Sequence, residues 1–252
     1  VSFKVVVPAR YASERLPAKA LRDVAGVPLV VRALHQARRS AATEVLVATD
    51  HVEIEAAVAA AGGRAMLTSA AHQSGTERIA EVARRCGWPP ETIVVNVQGD
   101  EPMMPPQLID QCAALLDDAS ADMATLCHAI DDPADMKRPE VVKVVRNRAG
   151  FALYFSRAPI PFDRTPWCHG PGAAVGQRHI GIYAYRVAAL LTLADAPSPQ
   201  LEDRERLEQL RALWLGMRIR VASAVTMPGP GVDTEADLAR VVALLESGQG
   251  PS

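Results

Sequence analysis

The chain has 252 residues, 49% of them hydrophobic, and a formal net charge of −2. A chain of that length can withdraw roughly 70–75% of its unfolded surface from water, so it needs no disulfide or metal staple. The near-neutral charge gives no support to a nucleic-acid partner or an anionic membrane surface, so any basic site must be local.

The cysteines Cys86, Cys112, Cys127 and Cys168 form no CxxC pair and read as free, mostly buried thiols. No window reaches the apolar length of a membrane span. The amino terminus enters a strand pattern at once, leaving no room for a signal peptide, and a cytoplasmic location is expected.

In chain order, residues 3–7 read as a strand. Residues 29–39 read as a helix with Val30, Ala33, Leu34 and Ala37 on one face. A second strand is expected over 44–48, and a helix over 52–61 that Gly62-Gly63 stops. A strand over 64–67, a helix over 76–86 and a strand over 92–97 follow. The helix over 105–116 starts beside proline, which suits a first helical turn. This alternation predicts an α/β fold, a mostly parallel sheet flanked by helices. Ligands on such sheets sit beyond the C-terminal strand ends. Polar residues gather there: the loop after the first strand, Asp50 after the second, and Gln98-Gly99-Asp100 after the fourth.

The second half is more irregular. Strands are expected over 123–129, 141–146, 151–155, 179–185 and 218–222, with a Pro- and Gly-rich functional loop over 157–176. Residues 201–215 read as one charged amphipathic helix, and 234–245 as the last helix with Thr234 as its N-cap. The expected organisation is a single α/β domain over 1–252, with a substrate and dimerisation subregion at about 130–215.

Four segments carry chemistry. In Val5-Val6-Val7-Pro8-Ala9-Arg10-Tyr11-Ala12-Ser13-Glu14-Arg15-Leu16-Pro17-Ala18-Lys19, a β-branched run releases Arg10, Arg15 and Lys19, one of only four lysines in the chain. Fixed cations with bidentate geometry suit a triphosphate. Neither a Walker A loop nor a GxGxxG fingerprint is present. In Val95-Asn96-Val97-Gln98-Gly99-Asp100-Glu101-Pro102, Asp100 is a candidate Mg²⁺ ligand, since Mg²⁺ takes one or two carboxylates plus phosphate oxygens. Glu101 precedes proline and is read as pointing away. In Pro228-Gly229-Pro230-Gly231-Val232-Asp233-Thr234, Asp233 is either a helix-start neighbour or a second carboxylate for the same metal. In His72-Gln73-Ser74-Gly75-Thr76-Glu77-Arg78, a helix start offers donors to a base, ribose or phosphate, or simply a Ser cap followed by Glu.

Together these segments resemble the 3-deoxy-manno-octulosonate cytidylyltransferase family, from about residue 2 to 245. The markers are PARYASERLPAK, VATDH, HQSGTER, VNVQGDEP, VKVV, ALYFSRAPIP, RHIGIYAYR, LEQLRALW and GVDT. The resemblance implies a nucleotide-diphospho-sugar transferase-like fold, usually a homodimer. It implies that CTP and KDO (3-deoxy-D-manno-octulosonate) give CMP-KDO and pyrophosphate, with Mg²⁺, for lipopolysaccharide biosynthesis in Gram-negative bacteria. It implies that Ala9, Arg10, Ser13, Arg15 and Lys19 hold the phosphates, and that Ser74, Gly75 and Arg78 lie near the cytidine. Asp100 and Asp233 would hold the metal, with Lys19 and Arg10 also catalytic. Gln98, His179, Tyr183, Glu208 and Gln209 would face the sugar acid. His179 and Tyr183 share one strand face, and His179 is a candidate general base. Two departures stand in the first loop, where Ala18 and Ala20 replace the family's usual glycine and proline.

Three rival readings remain. Another sugar-acid cytidylyltransferase, such as one for sialic acid, usually lacks Arg15-Leu16-Pro17. A sugar-1-phosphate nucleotidyltransferase has a more Gly-rich first loop. A non-catalytic nucleotide-binding protein does not require two carboxylates such as Asp100 and Asp233.

Overall fold

The computed structural model describes residues 2–13, 15–164 and 176–248. Cys168 and most of the C-terminal half of the loop expected over 157–176 lie outside the described residues.

The chain opens with β1 (Phe3–Ala9), a single 3-10 turn at Lys19–Leu21, and the small hairpin β2 (Asp23–Val24) and β3 (Val27–Pro28). Then come α1 (Leu29–Arg38), β4 (Glu44–Thr49), α2 (Val52–Ala60), β5 (Ala65–Leu67), α3 (Gly75–Arg85), β6 (Ile93–Asn96) and α4 (Pro106–Ala114). The second half holds β7 (Met123–Ile130), α5 (Pro133–Met136), β8 (Lys143–Arg146), β9 (Ala152–Ser156) and β10 (Gly176–Arg186). It closes with α6 (Val187–Asp195), α7 (Gln200–Glu205), α8 (Gln209–Trp214), β11 (Ile219–Ser223) and α9 (Glu235–Glu246).

The main sheet runs β11-β7-β10-β6-β1-β4-β5, with β8 pairing β10 and β9. β1 lies parallel to β4 and β6 at its centre. Its apolar run reflects that position, since a parallel central strand is covered on both faces. Phe3, Val5, Val7 and Ala9 point into the core under α1, α2 and α4. Val6 points into the opposite core under α3, α6 and α8. β6, β1, β4 and β5 run parallel, as their sequence pattern implies, and so do β7 and β11. The second half makes the sheet mixed, because β10 runs antiparallel to β6, β7 and β8, and β8 antiparallel to β9.

One expected element needs correction, and a helix went unread. The helix expected over 201–215 is two helices, α7 and α8. Arg206 adopts a left-handed conformation (φ 52°) and ends α7, so the chain turns before Glu208. Burial of the Arg211 guanidinium on the Glu202 carboxylate, at 2.6 and 2.7 Å, pins the two pieces together. The sequence pattern also missed α6, whose apolar run is amphipathic only weakly and whose start carries no side-chain cap. Thr234 does cap α9, in a reciprocal capping box with Asp237.

Candidate active site

The loop that leaves β1 is held by a small third core. Leu16 is fully buried with Val24, Leu29, Met103, Val232 and Leu238. This apolar plug joins the segments that carry Lys19, Asp100 and Asp233. A backbone bond strengthens the joint, because Val232 N–H donates to Asp100 O at 2.9 Å. The result is convergence of residues far apart in sequence. Lys19 Nζ lies 2.6 Å from Asp100 Oδ2 and 3.0 Å from Asp233 Oδ1. Arg15 Nη2 lies 3.1 Å from the same Asp233 oxygen. Burial alone would lower the Lys19 pKa, but the two carboxylates outweigh it and hold it above its ordinary value.

These residues border a cavity of about 400 Å³. Ala9, Arg10, Ser13, Arg15 and Lys19 line it from the loop, and Ser74, Gly75 and Arg78 line it from the start of α3. Gln98, Asp100 and Asp233 close the far side. Ser74 caps α3 by accepting from Glu77 N–H at 3.2 Å, so the first turn of the helix opens toward the cavity. Gly99 is required by packing against the first strand: a Cβ there would stand 2.9 Å from Pro8 O. A second cavity of about 530 Å³ adjoins the first, and Asp100 and Asp233 line both. The two carboxylates therefore stand at the seam.

A family model described as Cytidylyltransferase matches residues 4–219. A 3-deoxy-manno-octulosonate cytidylyltransferase from Yersinia enterocolitica is 50% identical over 248 residues, covering 97% of this chain and 99% of that relative. The chain belongs to the 3-deoxy-manno-octulosonate cytidylyltransferase family. A relative of the same name from Aliivibrio fischeri is 49% identical over 247 residues, 97% of this chain and 99% of its own. A solved structure of CMP:2-keto-3-deoxy-manno-octonic acid synthetase complexed with CTP superposes with a TM-score of 0.89 at 42% identity, covering 98% of this chain and 100% of that one.

The residues of this cytidylyltransferase that were expected to face the sugar divide into two groups. Gln98 borders the first cavity, and its Nε2 donates to Asn96 Oδ1 at 3.3 Å. His179 borders the second cavity with Nε2 3.0 Å from Thr125 Oγ1. Burial pushes its pKa down to about 3, so the ring is neutral. Tyr183, Glu208 and Gln209 lie beyond α3, where Thr76 Oγ1 donates to Glu208 Oε2 at 2.5 Å. Among the described residues, Tyr183 Oη, Glu208 Oε1 and Gln209 Nε2 are the buried side-chain polar atoms without a hydrogen-bond partner. Such atoms are costly to leave unpaired, and a hydroxyl-rich ligand is one way to satisfy them. Glu208 also borders a shallow cleft with Ser74, which links this group to the first cavity.

Sequence reasoning placed Glu101 away from the site, but its carboxyl lines the second cavity beside Gly231. Burial first, then the charges of Asp100 and Asp233, raise its pKa to about 8. The turn at Pro102 directs the backbone, not this side chain, and that is why the proline misled. Arg178, one residue before His179, also lines this cavity and was missed. Lys143 was quoted only as part of a motif. It is fully buried, with Nζ donating to Arg138 O at 3.1 Å and Arg157 O at 2.5 Å, and so fixes the start of the loop after β9.

Among the described residues no group of three or more His, Cys, Asp or Glu side chains is arranged to hold a metal ion. Asp100 and Asp233 form a pair, and that pair already grips one cation, the Lys19 ammonium. Hard oxygen donors converging on a positive charge fit a small divalent ion whose remaining ligands are phosphate oxygens and water. No helix among the described residues is long and apolar enough to cross a membrane.

Proposed function

We propose that this cytidylyltransferase activates KDO with CTP, giving CMP-KDO and pyrophosphate for lipopolysaccharide biosynthesis in Gram-negative bacteria. The relatives' names supply the substrates. The observation that carries the reading to these residues is the Lys19–Asp100–Asp233 convergence at the seam of two cavities. The first cavity suits the nucleotide, and Gln98 on its border, with the Tyr183, Glu208 and Gln209 group linked to it through Ser74, suits the acceptor.

Arg10, Ser13, Arg15 and Lys19 bind the triphosphate, and the backbone at Ala9 borders it. Ser74, Gly75 and Arg78 stand on the nucleoside side. The sugar's anomeric hydroxyl oxygen forms a bond to the α-phosphorus, and the bond from that phosphorus to the bridging oxygen of the β-phosphate breaks in line. Such transfers depend mainly on positioning and charge stabilisation. Lys19 and Arg10 offset the charge that builds on departing pyrophosphate. Asp100 and Asp233 would hold Mg²⁺, which would supply Lewis-acid polarisation of the phosphate. Gln98, His179, Tyr183, Glu208 and Gln209 orient the sugar acid. Burial keeps the His179 ring neutral and lowers its basicity.

The enzyme works as one domain in the cytoplasm. A homodimer is proposed on the family resemblance, with the 130–215 subregion as its contact. Pyrophosphate release tests the reaction, measured with each nucleoside triphosphate, Mg²⁺ and either KDO or sialic acid. Release with CTP and KDO alone is expected. Release with GTP or UTP and a sugar phosphate, or with sialic acid in place of KDO, overturns the assignment.

A further inference from the structure

We infer that Asp50 is a positioning residue that locks the triphosphate loop to the helix on the nucleoside side. It rests on reading the first cavity as the CTP site. Asp50 follows β4 and lines neither large cavity. Its two oxygens face two different parts of the site. Oδ1 accepts from the Tyr11 backbone N–H at 2.9 Å, inside the loop that carries Arg10 and Arg15. Oδ2 accepts from Arg78 Nη2 at 3.0 Å, and Arg78 borders the same cavity from α3.

The pair is secluded, with side-chain exposures of 4% for Arg78 and 12% for Asp50. Arg78 is fixed further, since its Nη1 donates to Thr68 Oγ1 at 2.6 Å. Tyr11 has a second anchor at the same junction. Its ring stacks on His51 at 3.7 Å between centroids and 18° between planes. His51 is itself held as the N-cap of α2, accepting from Glu53 N–H at 3.3 Å. The loop is thus tethered at one point by a backbone bond and a ring stack, and the backbone bond shares its carboxylate with the helix. A charged, secluded hydrogen bond of this kind is stronger than an exposed one and enforces one geometry.

This arrangement assigns distinct jobs to the two anchors. The His51 stack restrains the loop alone, so its loss affects ligands according to how much polyphosphate they carry. Asp50 restrains loop and helix together, so its loss affects the nucleoside monophosphate as well.

The test compares CTP and CMP binding by calorimetry, together with steady-state constants, for His51→Ala, Asp50→Asn and Asp50→Ala. H51A should weaken CTP several-fold and leave CMP within twofold. D50A should weaken CTP about tenfold or more and CMP measurably, with a larger rise in KM for CTP than for the sugar acid. D50N keeps an oxygen for the Tyr11 N–H but loses the charge facing Arg78, and should weaken CMP more than H51A does. Should D50A fail to fold, the D50N and H51A comparison decides the matter. Equal losses for CTP and CMP in H51A, or CTP affinity within twofold of the parent in D50N and D50A, would overturn the inference. A parent protein that binds neither CTP nor CMP would instead overturn the nucleotide reading itself.

Discussion

Ala18 offers a stability prediction with a defined sign. The residue before the site lysine sits at φ 49°, ψ 37°, in the left-handed region, and its carbonyl accepts from Leu21 N–H at 2.9 Å to start the turn that carries Lys19. A residue with a Cβ in that region carries a cost of about 1–2 kcal/mol relative to its right-handed state, and glycine carries none. Glycine in turn gives the unfolded chain about 0.4–1 kcal/mol more entropy. The Ala18→Gly protein should therefore be more stable by about 0.5–1 kcal/mol, taking the centre of both ranges. For a chain of this size that corresponds to a rise in Tm of about 1–4 °C. Scanning calorimetry or thermal circular dichroism on parent and variant, matched for buffer and scan rate, resolves the shift. Because the turn keeps its path, KM for CTP should stay within about twofold, a difference of under about 0.5 kcal/mol. A Tm that falls by more than a degree would show that position 18 does not adopt the left-handed turn, and would remove the argument that this loop tolerates a strained alanine.

Leu16→Ala opens the plug beneath the site, and should cost about 2–5 kcal/mol in denaturant unfolding while lowering kcat/KM, because the plug aligns Lys19 with the two carboxylates. Asp100→Ala should reduce turnover about 10³-fold or more, since metal and charge stabilisation contribute several kcal/mol. Its unfolding free energy should change by no more than about 1 kcal/mol, because the ion pair is partly solvated; near-normal turnover sinks the metal assignment. Glu101 titrates near 8 in the folded chain against 4.5 for the free group. The folded state then binds more protons than the unfolded one between those values, so this residue makes stability fall as pH rises through that window. In chelator-treated protein, Glu101→Gln should be near neutral at pH 4 and raise Tm relative to the parent at pH 9; a constant difference across pH would refute the buried position of that carboxyl.

Much of the lining of the first cavity was legible because its residues follow buried strands directly. A β-branched run that stops at Pro8, or at Gln98-Gly99, tells where the chain leaves the sheet, and the polar residues that follow must lie at the strand ends. What placed Lys19 against Asp233, 214 residues away, was not local: it is the Leu16–Val232–Met103 plug, which no spacing in the sequence reveals. The helix break before Glu208 was hidden for a different reason. A continuous charged helix fits residues 201–215 until Arg206 turns left-handed, and an arginine gives no hint of that conformation. Asp50 was visible as a polar residue after the second strand, yet its two partners come from a loop backbone and from an arginine at position 78. Backbone partners leave no trace in side-chain pattern.

The antiparallel strand β10 has a bearing on engineering. It lies between β6 and β7, so the stretch that brings His179 and Tyr183 into the enzyme is also the ribbon that joins the two parallel portions of the main sheet. On the acceptor roles proposed for His179 and Tyr183, sugar-acid preference is not a cassette. A segment transplanted from a relative with a different sugar acid would have to reproduce the hydrogen-bond register on both flanks, including the shift between Ile180 and Tyr183. Retargeting this enzyme is better attempted by changing side chains on an intact ribbon than by swapping the ribbon itself.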